Sequence, residues 1–308
     1  MCENILNMRL IYQRDTLVKS IPLMALMAAI NIIIAELAAL TPLVSIFVIL
    51  ILPLTSTIVE LCCKDRFFPI YALATFGLSL ALTFWNIETT IFYVFPSIVT
   101  GYIFGLLAKR KIPTVWSIFT ATLAQTAITY ALIPFIDFLF QVDIILTFKT
   151  AFGLKDMLYV DAIIPTFIFG VSLIQVSLSQ LIVTQELNKF GMKDDLNRFS
   201  KMASAISGLF FSLLIIPGYF LSLEVAYLSL AMSLFFAIYL LTNLFFEKKY
   251  FELIPVGVCL ILNIVLFALV QSYLKEASQL LLIGFISACI CLISIVFSLL
   301  HKKKEKIQ

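Results

Sequence analysis

The sequence predicts an all-α, polytopic integral membrane protein with about ten transmembrane helices and both termini in the cytoplasm. Three observations predict it. The 308 residues are 62% hydrophobic and only 13% charged, with a mean hydropathy of +1.09, whereas a soluble domain keeps about a quarter of its residues charged. Apolar stretches of about 20 residues recur along the whole chain, each long enough to cross ~30 Å of hydrocarbon as a helix. Backbone groups in lipid must be satisfied within their own segment, so continuous runs of this kind read as helices and not as barrel strands. Finally, a cytoplasmic N-terminus would place eighteen lysines and arginines inside and only Lys149, Lys155 and Lys275 outside, the asymmetry that orients multi-pass proteins. The net charge of +3 then reports topology, with no nucleic-acid partner implied.

The predicted spans are 20–40, 43–61, 67–86, 90–108, 114–136, 159–187, 203–222, 226–246, 254–273 and 279–300. The charged stretch "RLIYQRDTLVKS" gives way to a full-length first span and reads as a cytoplasmic lead-in, not a cleaved signal. On a helical wheel Ala25, Ala28, Ala29, Ala35 and Ala39 of that span fall within about 120°, with Glu36 inside the same arc. Small residues let helix backbones approach closely in lipid, where no hydrophobic effect presses helices together, so this face reads as a packing seam. A carboxylate there costs about 3 kcal/mol on insertion scales and is expected to face protein or a water-filled cavity. Glu36 either serves such a cavity or reaches the headgroups from the outer end of its helix.

The second span holds Pro53. The fourth, "FYVFPSIVTGYIFGLLAKRK", carries Pro96 and a GxxxG face at Gly101 and Gly105, and the seventh repeats that theme with Ser204, Gly208 and Ser212. Such faces serve packing within a chain or docking between chains. The fifth span aligns Thr122, Gln125, Thr126 and Thr129, and the sixth aligns Asp161, Pro165, Ser172, Gln175, Ser179 and Glu186. Polar stripes at helical spacing are interhelical glue or the lining of a cavity. Between these two spans the loop Asp137–Leu158 has the apolar spacing of a short helix lying on the membrane or folding over the bundle. Asn86, Glu88, Asp137, Asp143 and Asp156 give the outer rim an acidic character. The inner loop "NKFGMKDDLNRFSK" then divides a six-helix module, 1–190, from a four-helix module, 191–308.

The six cysteines fall in spans or on the reducing face, so no disulfide framework is expected. Cys62 and Cys63 lack partners for a four-ligand metal site, and His301 is the single histidine. No P-loop, zinc-protease helix or serine elbow is present. The expectation is a chain with no catalytic residues, no metal and no cofactor.

The alanine seam at Ala25 and Ala29, the hairpin with Pro53 in its second span, and "FPSIVTGYIFGLLAKRK" ending in a basic cluster resemble the substrate-binding (S) components of energy-coupling-factor transporters. Over about residues 20–190 that resemblance implies six spans, a first helix docking onto a transmembrane coupling protein driven by ATPase subunits, and a vitamin or metal-ion substrate near the outer side. Four further C-terminal helices have no counterpart in an ordinary S component. In length and overall pattern the whole chain is similar to the YybS-like family of predicted bacterial membrane proteins, which has no established activity.

The leading expectation is therefore a substrate-binding component of a small-solute transport system. Glu36, Gln125, Thr129, Asp161, Ser172 and Gln175 would contact the solute, and Ala25, Ala29, Gly101 and Gly105 would dock the partner. The alternative is a membrane scaffold with no solute, whose four-helix module binds another membrane protein.

Overall fold

The computed structural model describes residues 14–87, 90–141, 143–151, 153, 160–189, 200–246, 250–270 and 279–305. Glu88, Asp156, the lead-in before Arg14, most of the loop between the predicted modules and the tip containing Lys275 lie outside the described residues. What is described is helical, in chain order α1 Leu17–Leu40, α2 Pro42–Cys62, α3 Phe68–Leu82, α4 Phe95–Lys109, α5 Thr114–Phe140, α6 Ile144–Ala151, α7 Val160–Lys189, α8 Lys201–Leu221, α9 Leu223–Phe246, α10 Tyr250–Val270 and α11 Gln279–Glu305.

Among the described residues seven helical stretches are long and apolar enough to cross a membrane: α1, Thr90–Lys109, α5, Val160–Glu186, α8, Leu223–Phe245 and Leu281–Leu300. The other predicted spans fall on α2, α3 and α10, with shorter apolar helices at Leu50–Cys62 and Leu253–Leu266. The third span differs most from expectation. Its α-helix has only 15 residues, and Thr83 closes it before a separate 3-10 turn at Phe84–Asn86. A helix of that length rises about 22 Å, well short of a full hydrocarbon crossing.

The helix ends have local causes. Pro42 at the start of α2 bars α1 from continuing through Thr41. The end of α4 is a Schellman turn, in which Ile112 N donates to Leu107 O and Lys111 N to Ala108 O, both at 3.0 Å. Lys111 occupies the left-handed position, φ 55°, where glycine is the usual residue. The short helix expected between the fifth and sixth spans is α6, capped by Asp143, whose Oδ1 accepts from Leu146 N at 2.7 Å.

The chain divides into two compact units, one formed by 1–151 with 168–198 and the other by 152–167 with 199–308. The division falls in the loop after α7, between 198 and 199, and also sets the first turns of α7 with the second unit.

In the first unit α2 packs against α1 and α4, α3 against α1, and α5 against α4. One apolar cluster joins Met24, Ala28 and Ala35 of α1 to Val59, Phe68, Tyr71 and Ile98. A second joins Leu61, Phe104, Ala121, Val176 and Val183, seating α7 on α2, α4 and α5. The glycines set the tightest approach. A Cβ at Gly101 would stand 2.3 Å from Pro53 O, and one at Gly105 would stand 2.6 Å from Glu60 Cβ. The GxxxG face of α4 is thus closed by α2 of the same chain, which accounts for both glycines without a second protein.

The second unit is built on the α8–α9 hairpin, with α11 packed on both helices and α10 on α11. Gly208 admits Cys291 and Phe236, whose atoms would lie 2.5 and 3.0 Å from an added Cβ. At the centre Ser287 Oγ lies 2.9 Å from both Ser212 Oγ and Ser233 Oγ, tying three helices through hydroxyls. The five described cysteines are free.

Candidate functional site

The polar side chains of the first unit collect in three places. The first is centred on α2, where Thr55, Ser56 and Thr57 follow Pro53. Thr57 Oγ1 donates to Pro53 O at 2.8 Å and to Gly101 O at 3.1 Å, stitching α2 to α4. Thr55 Oγ1 donates to Leu52 O at 2.9 Å, so its lone pairs remain for incoming donors. Asn31 Nδ2 supplies one at 2.8 Å and the Tyr71 hydroxyl supplies another at 3.2 Å. Ser56 Oγ lies 3.3 Å from the same phenol. Every proton in this chain runs toward Thr55 and the Leu52 carbonyl, which leaves Asn31 Oδ1 buried with no donor.

Along α3 the polar set continues one turn at a time through Tyr71, Thr75, Ser79 and Thr83, all essentially unexposed. Thr83 meets Thr90 hydroxyl to hydroxyl. Thr75 Oγ1 and Ser79 Oγ have no hydrogen-bond partner. Buried polar atoms in folded proteins are nearly always paired, with water where protein offers nothing, so each such atom marks a place that can receive a hydrogen-bonding guest.

The second place is where α4, α5 and α7 meet. Gln125 Nε2 donates to Gln175 Oε1 at 2.6 Å, and Thr100 Oγ1 donates to Gln125 Oε1 at 3.3 Å. Thr122, Ser179 and Gln180 flank this pair along the same two helices, each with one buried unpartnered oxygen. Of the residues expected to contact a solute, Gln125 and Gln175 are the two that the structure joins directly. Ser172, one turn before Gln175, is buried, and Thr129, one turn after Gln125, is half-buried. Glu36 is half-buried on α1, its Oε2 enclosed and without a partner. Asp161 is exposed in the first turn of α7, in the stretch that belongs to the second unit.

The alanine seam of α1 is split. Ala28, Ala35 and Ala38 are buried, along with Met24, Asn31 and Ile32, while Ala25 and Ala29 are exposed. Those two line an apolar groove of about 280 Å³ with Ala28, Ile70, Ala74 and Leu78. The wheel therefore placed the seam some way round from the face that the unit buries. The reason is that Asn31, and not the alanine arc, lies nearest the centre of that face.

The third place is the basic end of α2 and α4, which the sequence reading passed over. Lys109 Nζ donates to Glu60 Oε1 at 2.8 Å, to Cys63 O at 3.0 Å and to Asp65 Oδ1 at 2.5 Å. The Lys109 ammonium beside Asp65 holds that carboxyl below the usual carboxylate range. Its contribution to stability is therefore in place above the ordinary aspartate value and fades as the pH falls through the lowered one. Nearby, Arg14 N donates to Cys62 O at 2.8 Å, and Lys64 pairs with Asp15 at 3.1 Å. The signal available in the sequence was a lone glutamate at the end of an apolar run, 49 residues before a lysine at the end of another.

No family model matches the chain, and no curated protein or solved structure is significantly similar to it. Among the described residues no three His, Cys, Asp or Glu side chains gather as a metal site. The first unit's buried polar chemistry is that of amides, hydroxyls and carboxyl groups held inside an apolar bundle.

Proposed function

We propose that this chain is a ten-span protein of the bacterial cytoplasmic membrane, both termini inside, whose first unit captures a small polar solute. It acts by binding, not by catalysis, as the substrate-binding component of a transport system energised by a separate module. That module would be a transmembrane coupling protein with ATPase subunits, in keeping with the S-component resemblance of residues 20–190, and the whole chain would stand with the YybS-like proteins. One observation carries the reading. Among the described residues of the first unit, eight buried polar atoms, on Asn31, Glu36, Glu60, Thr75, Ser79, Thr122, Ser179 and Gln180, have no protein partner, and buried polar atoms take water or a ligand where protein offers nothing.

The topology is tested by single-cysteine labelling in intact cells. Thr147 and Ala277 are expected to react from outside, and Met192 and Lys304 only after permeabilisation. Labelling of Met192 from outside would overturn the arrangement.

Capture is tested by a thermal-shift screen of the purified protein against vitamins, amino acids and metal ions, repeated with Glu36→Gln. A solute at a hundredfold excess over its dissociation constant stabilises by about 2.7 kcal/mol. The variant is expected to keep its fold and to lose about 1.5–3 kcal/mol of binding, the worth of one charge-assisted hydrogen bond. The second reading is a scaffold with no solute, whose four-helix module binds another membrane protein; the open groove at Ala25 and Ala29 suits a partner helix in either case. If no compound shifts the wild type while a partner protein co-purifies, capture is abandoned for the scaffold.

A further inference from the structure

The acid–base cluster at the end of α2 and α4 has an unbalanced charge. Glu60 is fully enclosed, its side chain 0% exposed, whereas Asp65 is 53% exposed and Lys109 18%. Both carboxyls lean on the one ammonium. All three N–H groups of Lys109 are engaged, by Glu60, Asp65 and the Cys63 carbonyl. Glu60 Oε2 is left buried with no partner of any kind. Gly105 presses on Glu60 Cβ and Cγ, and a Cβ there would stand 2.6 and 2.7 Å away. The carboxyl therefore has little room to swing out toward water.

The surrounding cations are committed elsewhere. From the lead-in, Arg14 pairs through its backbone with Cys62, and Asp15 pairs with Lys64. From the turn after α2, Arg66 sits over the Phe67 ring at 4.7 Å. From α7, apolar Val176 and Val183 face Leu61, with neutral Gln180 and Thr184 bonded to each other on that helix before Glu186 follows. Lys109 and Asp65 are the charged groups that act on Glu60 itself, and the two carboxyls meet at the one ammonium. Two carboxylates that share one site cannot both stay ionised cheaply, and the common resolution is a single shared proton. Burial decides which holds it, because an unpaired charge is far costlier in an enclosed position than in a half-exposed one.

We propose that Glu60 is a proton-binding site, protonated at neutral pH, with the ionised Asp65–Lys109 pair beside it. The proton rests on Glu60 Oε2, and half-exposed Asp65 offers its route to and from water. On its loss Glu60 becomes a buried anion within reach of one cation, so Lys109 is drawn from Asp65 toward Glu60. The turn that carries Asp65 is then released from α4. The end of the α2–α4 pair would thus respond to proton uptake, independently of whether the unit carries a solute.

The test is infrared spectroscopy of the purified full chain in an ester-free detergent. It compares wild type with Glu60→Gln, which copies the shape of the neutral acid, and Asp65→Asn, which removes the competing charge at an exposed position. At neutral pH the wild type is expected to show the carbonyl stretch of one protonated carboxyl that Glu60→Gln lacks. Asp65→Asn is expected to lose the same band, because Lys109 is then free to neutralise Glu60 alone. Asp65→Asn also decides the matter if Glu60→Gln does not fold. Coincident spectra for wild type and Glu60→Gln would overturn the proposal, as would a band undiminished in Asp65→Asn.

Discussion

Gly101→Ala is expected to destabilise the first unit by roughly 1–3 kcal/mol, the cost of overpacking a filled interior, and Gly101→Leu by more. The added Cβ would stand 2.3 Å from Pro53 O and 2.5 Å from Ser56 Cβ. The nearer atom is backbone in the middle of α2 and cannot rotate away, so relief requires α4 to move off α2. That movement also lengthens the bond from Thr57 Oγ1 to Gly101 O, now 3.1 Å. Gly77→Ala is the control, because an added Cβ there meets nothing within 4 Å, and it is expected to be neutral or mildly stabilising through helix propensity. Reversible denaturation in mixed detergent measures both. Equal midpoints for Gly101→Ala and Gly77→Ala would show that α2 and α4 do not meet as described.

Lys109→Met is expected to cost about 1.5–3 kcal/mol, the worth of hydrogen bonds from a charged donor to partly enclosed partners. Methionine replaces the apolar stem, so the loss is of the ammonium alone. It strands Glu60 Oε1, the Cys63 carbonyl and Asp65 together. Lys19→Met on the exposed face of α1 is expected to change stability by no more than about 0.5 kcal/mol, as surface substitutions do. Adding Glu60→Gln to Lys109→Met is expected to change little further at neutral pH, because the amide copies a carboxyl that is already neutral there. A cost for Lys109→Met no larger than that of Lys19→Met would mean that the cluster does not hold α2 to α4.

The helices were legible in the sequence because length and hydropathy are local properties, and the structure has a helix at each predicted span. Which face of each helix turns inward was much less legible. In water a polar stripe marks the outside, but in lipid the outside is apolar too, so Leu26, Ile33 and Leu37 on the exposed side of α1 look no different from core residues. Asn31 was the informative residue on that helix, since an amide is driven inward whatever the alanines do. The repeat of Tyr71, Thr75, Ser79 and Thr83 at four-residue intervals carried the same message for α3. The Gln125–Gln175 pair emerged from stripes on two helices because each stripe points at its neighbour. Glu60, Asp65 and Lys109 went unread because a charge at the end of a span is ordinarily an anchor in the headgroups, and only the close approach at Gly105 encloses this one.

The pinning of the lead-in bears on the order in which the chain can be made. Arg14 is held by backbone contact with Cys62 and Cys63 at the far end of the α1–α2 hairpin, and Asp15 by Lys64. On the ribosome, Arg14 emerges some fifty residues ahead of the partners that fix it, at 5–20 residues per second. For several seconds the nascent lead-in is a tether without an anchorage, and α1 must find its place in the bilayer before anything clamps its beginning. Once Cys63 follows, the clasp ties the start of α1 to the end of α2. The contact can form only after the second helix has been delivered.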